Sequence, residues 1–128
     1  VTPKGEPYLA MEWLEGEDLG QRLARDGVTA EETVAIGKRV LAALAFAHAK
    51  GVVHRDVKPT NVFLPGKDPA MAKVLDFGIA RLDTATRMMT HTGAMLGSVG
   101  YMAPEQARGD RSVGPRSDLF SVGCVLFE

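Results

Sequence analysis

Apolar residues recur at helical spacing between Thr29 and Gly51, and this is the clearest pattern in the chain. Thr29 and Glu32 have the spacing of a capping box, which favours a helix start, and Gly51 favours its end. One face of the predicted helix carries Ile36, Val40, Leu44 and Ala47, with Leu41 and His48 on a neighbouring row. The spacing predicts a long amphipathic helix with that face buried.

Shorter patterns predict the remaining elements. Leu19 and Leu23 have i, i+4 spacing and indicate a short helix over residues 18–25, stopped at Gly27. A last helix over residues 118–128, capped by Ser117, is largely apolar and therefore predicted to be buried. Apolar β-prone runs predict strands at 8–11, 52–53, 62–64 and 73–75. The predicted fold class is α+β, mainly helical with short strands.

Residues 81–100 show no sustained period and contain many Thr, Met and Gly residues. A long loop without secondary structure is uncommon in a compact domain and is usually functional when it occurs. We therefore expect this loop to contribute to function.

Polar residues of chemical interest lie between and after the strands at 52–53, 62–64 and 73–75. Asp56, Lys58 and Asn61 occupy the first connection, and Asp76 follows the third strand. A two-stranded ribbon would bring Asp56, Asn61 and Asp76 to one edge. Each also has a simpler interpretation: Asp56 as a cap or turn carboxylate, Asp76 as an Asx-turn residue and Lys58 as a surface cation.

The spacing of these residues resembles that of protein kinases. Residues 54–61 read His-Arg-Asp-Val-Lys-Pro-Thr-Asn and are similar to the kinase catalytic loop, a match expected by chance in about 10⁻⁶ of such chains. Residues 76–78, Asp-Phe-Gly, resemble the magnesium motif. The resemblance implies that Asp56 orients and deprotonates the substrate hydroxyl, that Lys58 contacts the transferred phosphate, and that Asn61 and Asp76 hold Mg²⁺.

The resemblance also implies an ATP site. Its implied residues are Met11 as gatekeeper, Glu12 and Leu14 through their backbone, Asp18 at the ribose and Phe63 under adenine, together with Lys58, Asn61 and Asp76. From the sequence alone, Met11 and Phe63 could equally be core residues, and Asp18 a helix N-cap.

Regulatory residues are implied by the same resemblance. Residues 97–105 are similar to the substrate-docking end of a kinase activation segment, within which Ser98 would bridge Asp56 and Lys58. Arg55 would dock that segment, and threonines of the preceding loop are candidate phosphorylation sites, although a Thr-rich flexible loop without modification would look the same. The candidate threonines are Thr84, Thr86, Thr90 and Thr92.

Lys58 also indicates the substrate class, and two further residues, Asp118 and His54, receive predicted roles. Lys58 followed by Pro59 is typical of serine/threonine rather than tyrosine kinases. Asp118 resembles the buried Asp that holds the catalytic-loop backbone, although a first-turn carboxylate favoured by the helix dipole would look the same. His54 is predicted to be a packed, hydrogen-bonded core residue rather than a base.

Composition narrows the class of protein further. The 128 residues are 45% hydrophobic and 24% charged, with a net charge of −1, so no basic footprint predicts a nucleic-acid partner. Cys124 is a single cysteine, which excludes a disulfide within the chain and suits a cytoplasmic location. The apolar run at 122–127 is too short to cross a membrane.

The resemblance implies the limits of the domain. Residues 1–16 correspond to the last strand of the small lobe and the hinge, and residues 17–128 to the large lobe as far as its buried helix. A glycine-rich loop and an ATP-binding lysine are not found, so we expect a kinase domain truncated at both ends, whose isolated fragment transfers little phosphate.

Two alternative functions remain open at this stage. A pseudokinase scaffold or nucleotide sensor would share the fold, but the intact Asp56, Asn61 and Asp76 argue against it. A small-molecule phosphotransferase of kinase-like fold usually lacks the Lys58-Pro59 step and the Ala-Pro-Glu segment that ends at Glu105.

Overall fold

The computed structural model describes residues 11–77, 99–110 and 113–128. Within these ranges the chain forms four α-helices and a three-stranded antiparallel sheet. This mixed architecture confirms the predicted α+β class. The strand predicted at 8–11 lies outside the described residues, apart from Met11, which is in no regular element.

The long helix, Ala30–His48, has the predicted boundaries and the predicted buried face. Thr29 and Glu32 form the capping box in both directions: the Thr29 hydroxyl accepts the Glu32 N–H, and the Glu32 carboxylate accepts the Thr29 N–H. Ile36, Val40, Leu44 and Ala47 are buried. Leu41, on the neighbouring row, is 40% exposed. The helix, called α2 below, forms the centre of the core.

A shorter helix, α1, precedes it at Leu19–Arg25. Asp18 is its N-cap and forms a capping box with Gln21. The guanidinium of Arg25 makes a two-nitrogen contact with the carboxylate of Glu17, which is 5% exposed. Gly27 adopts a positive φ of 73° just beyond the helix, as its predicted role as a stop requires.

The sheet consists of β1 (Gly16–Asp18), β2 (Val62–Pro65) and β3 (Lys73–Val74), in that order. The strands predicted at 62–64 and 73–75 are confirmed as β2 and β3. The sequence Gly-Glu-Asp of β1 has low strand propensity, and its pairing with β2 is a tertiary effect that local patterns do not carry.

The strand predicted at 52–53 is wrong. The N–H of Val52 bonds to the carbonyl of Ala47 at 3.0 Å, so this segment continues the turn that ends α2. The N–H of Val52 is therefore used at the end of the helix and is not available for pairing with a neighbouring strand.

The last helices, α3 (Pro104–Ala107) and α4 (Pro115–Phe127), differ from the sequence prediction. Helix α4 begins at Pro115 with Gly114 as its N-cap, so the prediction that Ser117 caps the helix is wrong. Pro fits the first helical position because its missing N–H is not needed there. Ser117 lies one turn inside α4 and is buried.

Only one face of α4 is buried in the described structure. Val122 and Val125 are buried, whereas Leu119 and Phe120 are about half exposed. The buried side joins a continuous cluster that spans both long helices and the sheet. Its members are Leu19, Ile36, Val40, Leu44, Val57, Val62, Leu64, Ala72, Val122 and Val125. In the parts of the chain described, no helix combines the length and hydrophobicity that a membrane span requires.

Candidate active site

Asp56, Lys58 and Asn61 lie in direct contact after α2. The Nζ of Lys58 donates to Oδ2 of Asp56 at 2.9 Å. The Nδ2 of Asn61 donates both to the backbone carbonyl of Asp56 at 2.8 Å and to its Oδ2 at 3.2 Å. A short 3₁₀ turn at Pro59–Asn61 reverses the chain and makes this contact possible. The carboxylate of Asp56 is therefore held by a cation and an amide.

Asp76 follows β3 beside this cluster. The N–H of Leu75 donates to the carbonyl of Asn61 at 2.9 Å, and the carbonyl of Leu75 lies 2.8 Å from Nε2 of His54. Both backbone groups of the residue before Asp76 are thus fixed by residues 54–61, which are called the catalytic stretch below because of their predicted role. Asp76 is solvent-exposed and has a positive φ of 52°. A strained backbone of this kind is found most often at functional sites.

His54 is fully buried, as predicted for a structural residue. Its Nδ1 accepts the N–H of Asp56 at 3.2 Å, so Nε2 carries the proton that is donated to the Leu75 carbonyl. Its ring also packs 4.8 Å from the ring of Phe77, centroid to centroid. His54 therefore connects the backbone of Asp56 to the segment before Asp76. Both of its ring nitrogens take part in hydrogen bonds within the protein.

Asp118, from α4, holds the backbone of the catalytic stretch. Its Oδ2 accepts the N–H of His54 at 2.9 Å, and its Oδ1 accepts the N–H of Arg55 at 2.8 Å. Asp118 is 1% exposed, and Nε2 of His48 lies 2.7 Å from its Oδ2. The role inferred for Asp118 from the resemblance matches this geometry, and the carboxylate also belongs to the first turn of α4.

Three contributing residues received no such role from the sequence. His48 contacts Asp118, Gln106 donates to the carbonyl of Arg55 at 3.0 Å, and Ser117 donates to Glu105 at 2.5 Å. The hydrogen bond from Ser117 lowers the pKa of the Glu105 carboxyl below its usual value. The only sequence signal for these residues was their proximity to recognised motifs, because their contacts join segments distant in the chain.

The residues implied at the nucleotide gather around β2. Asp18 and Phe63 are opposite each other in the β1–β2 pair. Phe63 is also opposite Lys73 in the β2–β3 pair, and Nζ of Lys73 lies 2.7 Å from the Glu12 carboxylate. The sheet thus brings together Glu12, Asp18 and Phe63, which were predicted at the hinge, the ribose and the adenine floor.

The structure also tests the simpler interpretations of Asp18, Met11 and Phe63. Asp18 is indeed the N-cap of α1. Met11 is 71% exposed in the described structure, which does not support a core role there. Phe63 is half-buried and Leu14 is half-buried as well. Exposed and half-buried side chains leave surface that a ligand could cover.

The oxygen donors at the edge of the sheet fit a divalent cation. Because Nδ2 of Asn61 points at Asp56, its Oδ1 is the atom left to act as a ligand. Asp76 supplies an exposed carboxylate. One neutral oxygen and one anionic oxygen suit Mg²⁺, which takes the rest of its ligands from water and phosphate.

Five residues predicted in the activation segment lie outside the described residues. They are Thr84, Thr86, Thr90, Thr92 and Ser98.

Comparison with known proteins establishes the family. A family model described as the protein kinase domain matches residues 1–128. The chain therefore belongs to the protein kinase domain family, and the resemblance drawn from residues 54–61 and 76–78 is confirmed.

The most similar curated relatives include bacterial enzymes. The chain is 42% identical over 123 residues to the serine/threonine-protein kinase PknB of Mycobacterium leprae, covering 95% of this chain and 19% of that protein. It is 43% identical over 130 residues to PknB of Mycolicibacterium smegmatis, covering 99% and 20%. It is 42% identical over 130 residues to the serine/threonine-protein kinase pkn3 of Myxococcus xanthus, covering 97% and 24%. The chain thus spans about a fifth to a quarter of the length of these relatives.

Proposed function

We propose that this protein is a serine/threonine protein kinase, which transfers the γ-phosphoryl group of ATP to a serine or threonine hydroxyl of a protein. The observation that carries the proposal is the contact of Asp56 with both Lys58 and Asn61. Phosphoryl transfer needs a positioned proton acceptor and nearby cations far more than it needs covalent chemistry. This cluster provides a carboxylate that has an ammonium group and an amide within hydrogen-bond distance.

Each side chain has a role in this proposal. Asp56 accepts the proton of the attacking hydroxyl and orients it. Lys58 is a compact cation that offsets charge on the transferred phosphate. Asn61 holds Asp56 in place through Nδ2 and offers Oδ1 to Mg²⁺, for which Asp76 is the second ligand. When bound, Mg²⁺ would neutralise charge on the phosphate oxygens of ATP.

The proposed ATP site extends from the catalytic stretch to the hinge. Glu12 and Leu14 would contact adenine through their backbone, beside Met11. Asp18 would bind the ribose, and Phe63 would lie under the base. The cross-strand pairing of Asp18 with Phe63 supports a single site for ribose and base.

The choice of a protein hydroxyl rests on two features. Lys58 followed by Pro59 resembles serine/threonine kinases, and the relatives named above are serine/threonine-protein kinases.

Dependence on ATP and a single cysteine, Cys124, suit a cytoplasmic catalytic domain. Phosphorylation of the threonines in residues 81–100 would regulate the enzyme by pairing with Arg55.

A matched pair of variants tests the proposal in the full-length protein. Asp56→Asn should lower kcat by about 100-fold or more, because the amide cannot accept the hydroxyl proton, while ATP affinity stays unchanged. Asp68→Asn makes the same chemical change at an exposed turn residue whose side chain accepts only the N–H of Ala70 among its described contacts. It should behave as wild type.

A phosphate-transfer assay identifies the group that accepts the phosphate and can also contradict the proposal. Phosphate transfer from labelled ATP is measured to peptides with serine, threonine or tyrosine, and to small-molecule alcohols. Transfer to serine and threonine is expected. Unchanged turnover in Asp56→Asn would remove Asp56 from its role, and transfer only to small molecules would replace the substrate class.

A further inference from the structure

The peptide group that joins Arg55 to Asp56 is held at both ends by side chains. Its carbonyl accepts a hydrogen bond from Nε2 of Gln106 at 3.0 Å. Its N–H, which belongs to Asp56, donates to Nδ1 of His54 at 3.2 Å. Arg55 itself has a positive φ of 65°. A non-glycine residue in this conformation is strained by about 1–3 kcal/mol, so its surroundings must hold it there.

The orientation of the Gln106 amide is fixed by a second contact. Its Oε1 accepts the N–H of Ala103 at 3.3 Å, and Ala103 is fully buried at the start of α3. With the oxygen used by this N–H, the nitrogen end must face Arg55. The same side chain therefore caps α3 and reaches the catalytic stretch, 51 residues away in the chain.

Contacts between α3 and α4 complete a closed arrangement. Asp118 on α4 holds the N–H of Arg55, and Ser117 beside it donates to Glu105 on α3. Glu105 precedes Gln106, which returns to the carbonyl of Arg55. Helix α3 is thereby linked by hydrogen bonds to the peptide group immediately before Asp56.

We infer that Gln106 is a positioning residue for Asp56. By donating to the Arg55 carbonyl, it prevents rotation of the Arg55–Asp56 peptide group and so fixes the direction of the Asp56 carboxylate. This inference rests on the proposed function, in which Asp56 accepts the proton of the substrate hydroxyl. It assigns to α3 a direct influence on turnover through one amide N–H.

Gln106→Glu separates this role from capping of α3, and Gln106→Met tests the loss of the donor without an added charge. Gln106→Glu keeps an oxygen for the Ala103 N–H but loses the donor to Arg55. Gln106→Met is uncharged, of similar length, and also lacks the donor. Both should lower kcat by about 10- to 100-fold with KM for ATP unchanged, since small displacements of a catalytic group have effects of this size.

Ala107→Glu is the control for added charge. It places a carboxylate at an exposed neighbouring position of the same helix, and should leave kcat near that of wild type. If Gln106→Glu does not fold, as judged by thermal unfolding, Gln106→Met is used instead, and its combination with Asp56→Asn decides the question. Wild-type kcat in either folded variant would overturn the inference, because both lack the donor.

A double-mutant cycle gives the readout that a purely structural role would not produce. In an Asp56→Asn background, substitution of Gln106 should have less than a twofold further effect on kcat, because Gln106 acts through the Asp56 carboxylate. Multiplicative effects of the two substitutions would overturn the inference. Unchanged activity of Asp56→Asn itself would instead overturn the proposed function, so the two failures are distinguishable.

Discussion

The Oδ1 atom of Asp118 accepts the backbone N–H of Arg55 at 2.8 Å, and Arg55 has a left-handed backbone conformation. The two residues are 63 positions apart in the chain. A buried carboxylate on α4 thus holds a backbone conformation that the catalytic stretch would not adopt by local preference.

Replacement of Asp118 should destabilise the protein strongly. In Asp118→Ala, the buried N–H of His54 and the partly buried N–H of Arg55 lose their acceptor. Each unsatisfied donor costs about 1–3 kcal/mol, so the total expected loss is about 2–6 kcal/mol. Asp118→Asn keeps one oxygen and should lose less. Chemical denaturation provides the measurement.

The control for Asp118 is Asp110→Ala. Asp110 is exposed and pairs with Arg108 at the surface, where such pairs contribute less than about 1 kcal/mol. Equal destabilisation of the Asp118 and Asp110 variants would contradict the role given to the buried carboxylate.

The hydrogen bond between Ser117 and Glu105 should make the stability of the protein depend on pH. The hydrogen bond lowers the pKa of Glu105 in the folded state, so its stabilisation is complete above the unfolded pKa and is lost as pH falls through the folded pKa. Ser117→Ala should therefore lower the Tm at neutral pH, and its difference from wild type should shrink below the ordinary carboxyl value of 4.5.

Ser121→Ala provides the matched control for Ser117. Ser121 is a buried serine of the same helix, and its hydroxyl donates to the carbonyl of Ser117 rather than to a carboxylate. The Tm difference between this variant and wild type should not change with pH over the same range. A difference for Ser117→Ala that is equally independent of pH would argue against the proposed linkage.

Substitution of Asn61 should raise the magnesium requirement of the enzyme. Asn61→Ala removes both a proposed Mg²⁺ ligand and the amide that holds Asp56. We expect the Mg²⁺ concentration for half-maximal activity to rise by about 10- to 100-fold, as is typical when a metal site loses such support. Kinase assays over a Mg²⁺ titration at fixed ATP make the measurement.

Thr60→Ala is the control for Asn61, since Thr60 is an exposed neighbour in the same 3₁₀ turn. Its Mg²⁺ requirement should equal that of wild type. If Asn61→Ala lost activity at all Mg²⁺ concentrations without a change in the half-maximal value, Asn61 would act only by holding Asp56.

Gly16 should not tolerate a side chain. It has a φ of 151°, and an added Cβ would lie 2.1 Å from the carbonyl oxygen of Leu64 in β2. The backbone strain alone should cost about 1–3 kcal/mol, and the clash would separate β1 from β2. Gly16→Ala should therefore lower the denaturation midpoint and also weaken ATP binding, because Asp18 and Phe63 face each other across this pair.

Glu15→Ala, at the exposed preceding position, serves as the comparison for Gly16. It leaves the backbone of β1 unchanged and should alter neither property appreciably. Normal ATP affinity in a destabilised Gly16→Ala protein would argue that the β1–β2 pair does not shape the nucleotide site.

Local patterns in the sequence predicted those elements whose signals are themselves local. The capping box of Thr29 and Glu32 located the start of α2, and the spacing of Ile36, Val40 and Leu44 located its buried face. The motif at residues 54–61 placed Asp56, Lys58 and Asn61 together because its spacing is characteristic of a family.

Elements defined by distant contacts were missed for a physical reason. Strand β1 has low strand propensity of its own and forms because β2 lies beside it. Ser117 looked like a helix cap, yet its hydroxyl bonds to Glu105 across two helices. The contact of Gln106 with Arg55 spans 51 residues. No periodicity within a short window records such pairs.

The distance in sequence between Asp118 and the segment it fixes bears on how the protein acquires activity during synthesis. A nascent chain that has left the ribosome only as far as the sheet contains every side chain of the catalytic stretch, but lacks the acceptor for the N–H groups of His54 and Arg55. The segment can settle into its strained form only after α4 has emerged and docked on α2. The acceptor for the first of these N–H groups lies 64 residues further along the chain, so the geometry that we propose for catalysis should form late in translation.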